Sequence, residues 1–133
     1  LAALANLSLF KADGTTTITW TGLQPSSGDG TAAVWKSLTI GNAQAHQPEL
    51  RLSAREGNSG SSRVLRVTAQ YPQIQTDSTT GITSVVRKAR YAAEFVFEKD
   101  MPQTDVDEFV TQVTGAQATT AFRSYLKSGY SAT

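Results

Sequence analysis

The chain has 133 residues, a formal net charge of +1, 17% charged and 39% hydrophobic residues, and no cysteine. This length suits a single domain with a core of its own, and the missing cysteine excludes disulfides and thiolate metal sites. No window approaches the run of about 18 apolar residues that a membrane-spanning helix needs, and Leu-Ala-Ala-Leu-Ala at the start lacks the basic flank of a signal peptide.

Abundant Thr, Ser, Gly and Ala favour β structure with polar turns. Two short strands, 5–11 and 15–21, flank Asp13-Gly14, a dipeptide suited to the positive backbone angles of a tight hairpin. Leu7 and Leu9 should meet Ile18 and Trp20 on one side of it. Gln24 to Gly30 is a loop rich in Pro, Gly and Asp, and Ala33-Val34-Trp35 is a short strand. Residues 40–47 form a polar connection that holds His46, the only histidine, read as a loop residue. Three long antiparallel strands follow, around 49–55, 63–71 and 85–97, the first two joined by a flexible turn over 56–62.

Side chains of a strand alternate between faces. Leu50, Leu52 and Ala54 therefore oppose Arg51, Ser53 and Arg55, while Leu65, Val67, Ala69 and Tyr71 oppose Arg66, Thr68 and Gln70. Tyr91, Ala93, Phe95 and Phe97 oppose Lys88, Arg90, Ala92, Glu94 and Val96. One face needs a cover; the other carries cations and hydroxyls. Proline cannot donate to a ladder, so Tyr71-Pro72 is read as the end of the second long strand, with an exposed loop or hairpin tip over 73–84. Between Leu50 and Tyr91 stand seven basic residues and two acids, whereas Ala92 to Glu108 holds six acids and one lysine. The two sides of the molecule should differ electrically.

After Pro102 the apolar period changes to that of a helix. Thr104 is the expected N-cap, Asp105, Asp107 and Glu108 complement the helix dipole, Val106, Phe109, Val110 and Val113 form the apolar stripe, and Gly115 marks the stop. A second helix carries Ala118, Ala121, Phe122, Tyr125 and Leu126 and ends at Gly129. The carboxylates of the first helical turn are explained by capping rather than by a metal, and Ser59-Gly60-Ser61-Ser62 lacks the lysine and helix of a phosphate loop. No catalytic constellation, metal site or cofactor motif is found. Two short helices are small cover for such a sheet, so a second subunit is expected to supply both the cover and a partner for the open sheet edge.

This order of elements resembles the coat proteins of the small single-stranded RNA bacteriophages, the levivirus type. The carriers are Ala33-Val34-Trp35-Lys36-Ser37, Leu50 to Arg55, Arg63 to Pro72, and Arg87-Lys88-Ala89-Arg90-Tyr91-Ala92 running to Phe95-Val96-Phe97. The resemblance covers essentially the whole chain and implies an α+β fold of one domain, 1–133. Within it lie an N-terminal hairpin (1–22), a five-stranded antiparallel sheet (33–97) and two C-terminal helices (104–129).

It further implies an intertwined homodimer with a continuous ten-stranded sheet, and dimers assembled into an icosahedral shell in the virion, built in the bacterial cytoplasm. The 73–84 loop would gather at the symmetry axes, where the missing cysteines exclude disulfide links. The inner sheet face would bind a stem-loop of single-stranded genomic RNA, packaging it and repressing translation of a replicase cistron. By strand position the RNA face would comprise Arg51, Ser53, Arg55, Arg66, Thr68, Lys88 and Arg90, with Arg63 as a phosphate contact near the turn. Arg90 stands where members of the family often carry Tyr. The competing reading is a monomeric β-rich interaction or adhesin-like module whose basic face is incidental.

Overall fold

The computed structural model describes residues 2–39 and 43–132; the start of the expected polar connection, 40–42, lies outside the described residues. The chain divides into two compact units, Leu1–Val96 and Phe97–Thr133. The strands are β1 (Leu7–Phe10), β2 (Thr17–Gln24), β3 (Ala32–Lys36), β4 (Glu49–Glu56), β5 (Ser62–Thr76) and β6 (Thr83–Glu98). They form one sheet in chain order, each beside the one before. A 3-10 turn, Gln44–His46, precedes β4, so His46 sits in a single helical turn rather than in open loop.

The hairpin is continuous with the sheet, which therefore has six strands where five and a separate hairpin were expected. The first half of β2 pairs with β1, as Leu7↔Trp20 and Leu9↔Ile18. Its second half pairs with β3, as Thr21↔Lys36 and Gly22↔Trp35, and the register shifts between Gly22 and Gln24. Asp13 holds the turn by accepting hydrogen bonds from the Thr15 and Thr16 amides and the Thr16 hydroxyl, and Gly14 takes the positive φ of 75°. The segment before β1 is also fastened to the sheet. Trp35 Nε1 donates to the Ala5 carbonyl at 2.8 Å, and the Gly22 amide donates to Asn6 Oδ1 at 3.0 Å. A Cβ on Gly22 would lie 2.8 Å from Leu4 Cγ, so the absent side chain is the seat of Leu4.

β4 and β5 pair without interruption from Glu49↔Gln70 to Glu56↔Arg63. The turn between them closes with the Gly57 amide on the Ser62 carbonyl, and Gly60 has φ 73°. β5 does not stop at Pro72, as expected, but runs on to Thr76. The last β4 partner along β5 is Gln70, so the missing N–H of Pro72 falls beyond that ladder and removes no bond from it; the ring itself is buried. Of the exposed loop or hairpin tip expected over 73–84, the structure has the hairpin tip, shortened to a turn over 77–82 and closed by the Asp77 amide on the Ile82 carbonyl and by a 2.8 Å contact between the Thr76 and Thr83 hydroxyls.

In the second unit, α1 (Gln103–Gln117) starts one residue before the expected cap. Pro102, at φ −56° and ψ 140°, holds the N-cap position, and its carbonyl accepts from the Asp105 and Val106 amides. Gly115 does not end α1. One glycine in a helix costs only about 1 kcal/mol against Ala, and the end is set at Thr119, whose hydroxyl donates to the Ala116 carbonyl and accepts from the Phe122 amide. The same side chain thus closes α1 and caps α2 (Thr120–Ser128), which ends at Gly129 with φ 79°. Phe97 meets Phe109 edge to face, with ring centroids 6.1 Å apart.

Burial is sparse. Val34, Trp35 and Val64 are the buried hydrophobic residues, and neither helix contains a buried residue among those described. Phe109 is 45% exposed and Leu126 62%.

Two outcomes follow from these local bonds. Thr119→Ala should cost about 1 kcal/mol in a urea titration followed by circular dichroism, and Thr119→Asn should restore most of it. The Asp13 carboxyl, held at about 2 against an ordinary 3.8 chiefly by its bonds to Thr16, stabilises the hairpin turn fully above 3.8. It loses that effect as pH falls through about 2. A carboxyl-carbon NMR titration should find its midpoint near the lower value.

Candidate nucleic-acid interface

Residues paired directly across antiparallel strands project to the same face, so the registers assign each side chain. One face carries, row by row, Lys36, Glu49 and Gln70; then Val34, Arg51 and Thr68; then Ala32, Ser53 and Arg66; and finally Arg55 and Val64. The other carries Trp35, Leu50 and Ala69, then Ala33, Leu52 and Val67, then Ala54 and Leu65. The apolar members of this second face beyond Trp35 are only half-buried.

Two contacts place β6. Arg55 forms an ion pair with Glu94 at 3.7 Å, and Lys88 lines a shallow hollow together with Lys36, Glu49 and Gln70. The even-numbered side chains of β6 therefore belong to the polar face, and Arg90, between Lys88 and Glu94, goes with them by alternation. Arg51, Ser53, Arg55, Arg66, Thr68, Lys88 and Arg90 are thus brought to one surface. On the odd positions Ala93, Phe95 and Phe97 are half-buried, while Tyr91 is 46% exposed in the single chain.

Arg63 is not with them. It has the parity of Leu65 and Val67, stands across from Glu56, and its guanidinium holds Asp29 with two bonds of 2.6 and 2.8 Å. The Asp29 carboxylate raises the guanidinium pKa further above its ordinary value. This fork fastens the 25–31 loop, which is also tied by the Gly30 amide on the Ala54 carbonyl at 3.0 Å and by the Ser26 and Thr31 hydroxyls. Lys36, by contrast, was not singled out from the sequence although it belongs to the polar face. The signal was its parity with Val34 one strand away from Arg51.

Two carboxylates on this face form ion pairs among the described residues. Glu49 accepts from Arg51 Nε at 2.6 Å, and Glu94 pairs with Arg55. The Arg55–Glu94 pair is solvent-exposed and so weak, whereas Glu49 is half-buried; Arg51 keeps its terminal nitrogens for another acceptor. No ion pair to Lys36, Arg66, Lys88 or Arg90 occurs among the described residues. The surface is a cation-rich plane with hydroxyls at Ser53 and Thr68 between the charges. Val34 and Val64, its buried apolar members, stand across from Arg51 and Arg55, whose methylene stems suit such neighbours.

Replacing Arg63 with Gln should release the 25–31 loop without altering the charge of the polar face. Hydrogen exchange at the Gly30 amide should accelerate; unchanged exchange would show that the fork does not hold the loop.

No protein-family model and no curated protein sequence matches the chain. Solved structures do. The virus-like particle of Beihai levi-like virus 21 superposes with a TM-score of 0.82 at 14% identity, covering 99% of each chain. That of bacteriophage NT-214 gives 0.82 at 14%, covering 99% of this chain and 100% of the other. The bacteriophage GA capsid protein gives 0.76 at 17%, covering 98% of each. An antiparallel sheet followed by two C-terminal helices, matched over nearly its whole length, gives this chain the levivirus coat-protein fold.

Proposed function

We propose that the chain is the coat subunit of a small RNA virus, that it pairs with a second copy and assembles into an icosahedral shell, and that its polar sheet face binds the packaged single-stranded RNA. The observation that carries the reading is the cation plane of Arg51, Arg55, Arg66, Lys88 and Arg90 on one face of a sheet whose fold is that of particle-forming chains. Lysine and arginine on such a plane neutralise phosphates and release counterions, which gives strong but salt-dependent binding. Ser53 and Thr68 offer hydrogen bonds to unpaired bases, the part of RNA that proteins read for sequence. A stem-loop is therefore the proposed specific ligand, and its capture is the proposed route to repression of a replicase cistron.

Self-association has its own support. A single sheet layer cannot bury its apolar face alone, and Leu50, Leu52, Leu65 and Val67 remain half-exposed. The helices present Phe122, Tyr125 and Leu126 to solvent. β6, 16 residues long, ends the strand order, and an edge of that length is a template for another strand. A second copy offers the matching edge and the matching apolar surfaces. The virion is then the place of action, and the role is structural rather than catalytic.

The test is expression of the chain alone, followed by size-exclusion chromatography with absorbance at 260 and 280 nm and electron microscopy of any early peak. Uniform particles rich in nucleic acid are expected. A monomer free of RNA would overturn the reading in favour of an interaction module with an incidental basic face. The combined variant Arg66→Gln, Lys88→Gln, Arg90→Gln should still form particles but hold less RNA. The slope of log affinity against log salt should flatten by about 2, at roughly 0.7 per lost phosphate contact.

A further inference from the structure

Asparagine is among the thermolabile residues, and the turn between β4 and β5 carries one at its tip. Asn58 and Ser59 are both exposed there, inside a four-residue turn closed by the Gly60 amide on the Gly57 carbonyl at 2.9 Å. The Ser59 hydroxyl meets that of Ser61. Among the described residues, no hydrogen bond engages the Asn58 carboxamide or the Ser59 amide. We infer that Asn58 is a site of self-modification: the Ser59 amide nitrogen closes on the Asn58 side chain, converts it to a mixture of aspartate and isoaspartate, and so loosens the turn.

The step needs only water. The deprotonated Ser59 nitrogen attacks Asn58 Cγ; the N–Cγ bond forms, the Cγ–Nδ2 bond breaks, and ammonia leaves with the proton the main chain gave up. Water then opens the five-membered imide. Cleavage of its N–Cγ bond gives aspartate, and cleavage between the nitrogen and the Asn58 main-chain carbonyl carbon gives isoaspartate. The net change turns asparagine and water into a carboxylate and ammonium, with nothing oxidised or reduced.

The fold decides which residues can follow this route. Ring closure needs a free carboxamide, a free amide nitrogen, a small following side chain and a backbone that can rotate, and an exposed turn opens at little cost. Asn6 fails on each count, since its Oδ1 accepts from the Gly22 amide at 3.0 Å and the following Leu7 is paired with Trp20 in the sheet. Asp13-Gly14 offers even less steric hindrance, but there the ring must expel water from a neutral carboxyl. That carboxyl is gripped by the Thr15 and Thr16 amides and the Thr16 hydroxyl, and the Gly14 nitrogen is occupied by the Lys11 carbonyl at 2.9 Å. The same bonds hold it at about 2 and so keep it ionised.

The product matters because of where it forms. Isoaspartate routes the main chain through the side-chain carbons, which adds one methylene between Gly57 and Gly60, the two residues whose bond closes the turn. The base of the turn has no slack, since a Cβ on Gly57 would collide with Ser62 Oγ. A turn of altered length no longer fits the register of the ladder it closes.

The experiment ages the purified full chain at neutral and at mildly alkaline pH, digests it with trypsin and follows the peptides by mass spectrometry with separation of isomers. Trypsin cuts after Lys11, Arg55 and Arg63, so residues 56–63 emerge as one peptide and Asn6 in another, 1–11. Peptide 56–63 should convert several-fold faster than 1–11, faster still at the higher pH, and into two products of equal mass. Asn58→Gln, whose longer side chain must close a six-membered ring, should abolish the conversion. Hydrogen exchange at the Gly60 amide should accelerate in the aged wild type. Asn58→Asp, freshly prepared with the same charge and no added methylene, should keep the exchange rate of fresh wild type. Conversion of 56–63 no faster than that of 1–11 would overturn the site. Equal Gly60 exchange in aged wild type and aged Asn58→Gln, once 56–63 has converted, would overturn the loosening of the turn.

Discussion

The unbroken antiparallel ladder between β4 and β5, from Glu49↔Gln70 to Glu56↔Arg63, is the constraint on which the rest depends. Strand side chains repeat every second residue, so a slip of one position would carry Arg51, Ser53 and Arg55 to the apolar side and Leu50 and Leu52 to the polar side. Nothing in the ladder's backbone bonds prevents such a slip; the separation of the two faces does. Leu50 and Leu52 on β4 meet Ala69 and Val67 on β5, and a slip of one residue would set them against Arg66, Thr68 or Gln70. The turn at 57–61, closed by Gly57 and shaped by Gly60, pins the same register from its end.

The two faces make opposite demands. The polar face satisfies itself locally, since Glu49 and Glu94 lie within reach of Arg51 and Arg55, and Arg66, Lys88 and Arg90 are exposed. The apolar face has no such recourse. Trp35 is buried, with its indole N–H on the Ala5 carbonyl, and Leu4 fills the notch at Gly22, so the segment before β1 covers the β2–β3 corner. Leu50, Leu52, Leu65 and Val67 lie outside that corner and stay half-exposed. Apolar area of this kind is stabilising only once it is withdrawn from water, at about 25 cal/mol per Å².

Identities of 14–17% accompany TM-scores of 0.76–0.82 over nearly the full length. The requirements traced above are requirements of class rather than of residue: an apolar side chain at every second position, a residue tolerant of positive φ at each turn, a cap between the two helices. Many side chains meet each of them, which is why a shared architecture leaves little trace in residue-by-residue identity.

What the amino-acid sequence determined by itself was whatever depends on neighbours a few residues away. Alternation sorted Arg51, Ser53, Arg55, Arg66, Thr68, Lys88 and Arg90 onto one side. Asp13-Gly14 and the glycines around residue 60 set the turns, and Gly129 ended the last helix. Even the displacement of Arg63 was written in its parity with Leu65, though its position near a turn suggested otherwise. The tertiary structure decided what depends on partners far along the chain. Asp29 claims Arg63 across 34 residues, and Ala5 meets Trp35 across 30. β5 runs past Pro72 because its ladder with β4 has already ended, and Lys36 joins Lys88 because two intervening strands bring β3 within reach of β6. Local chemistry selects conformations one residue at a time, whereas these contacts exist only after the strands have been laid side by side.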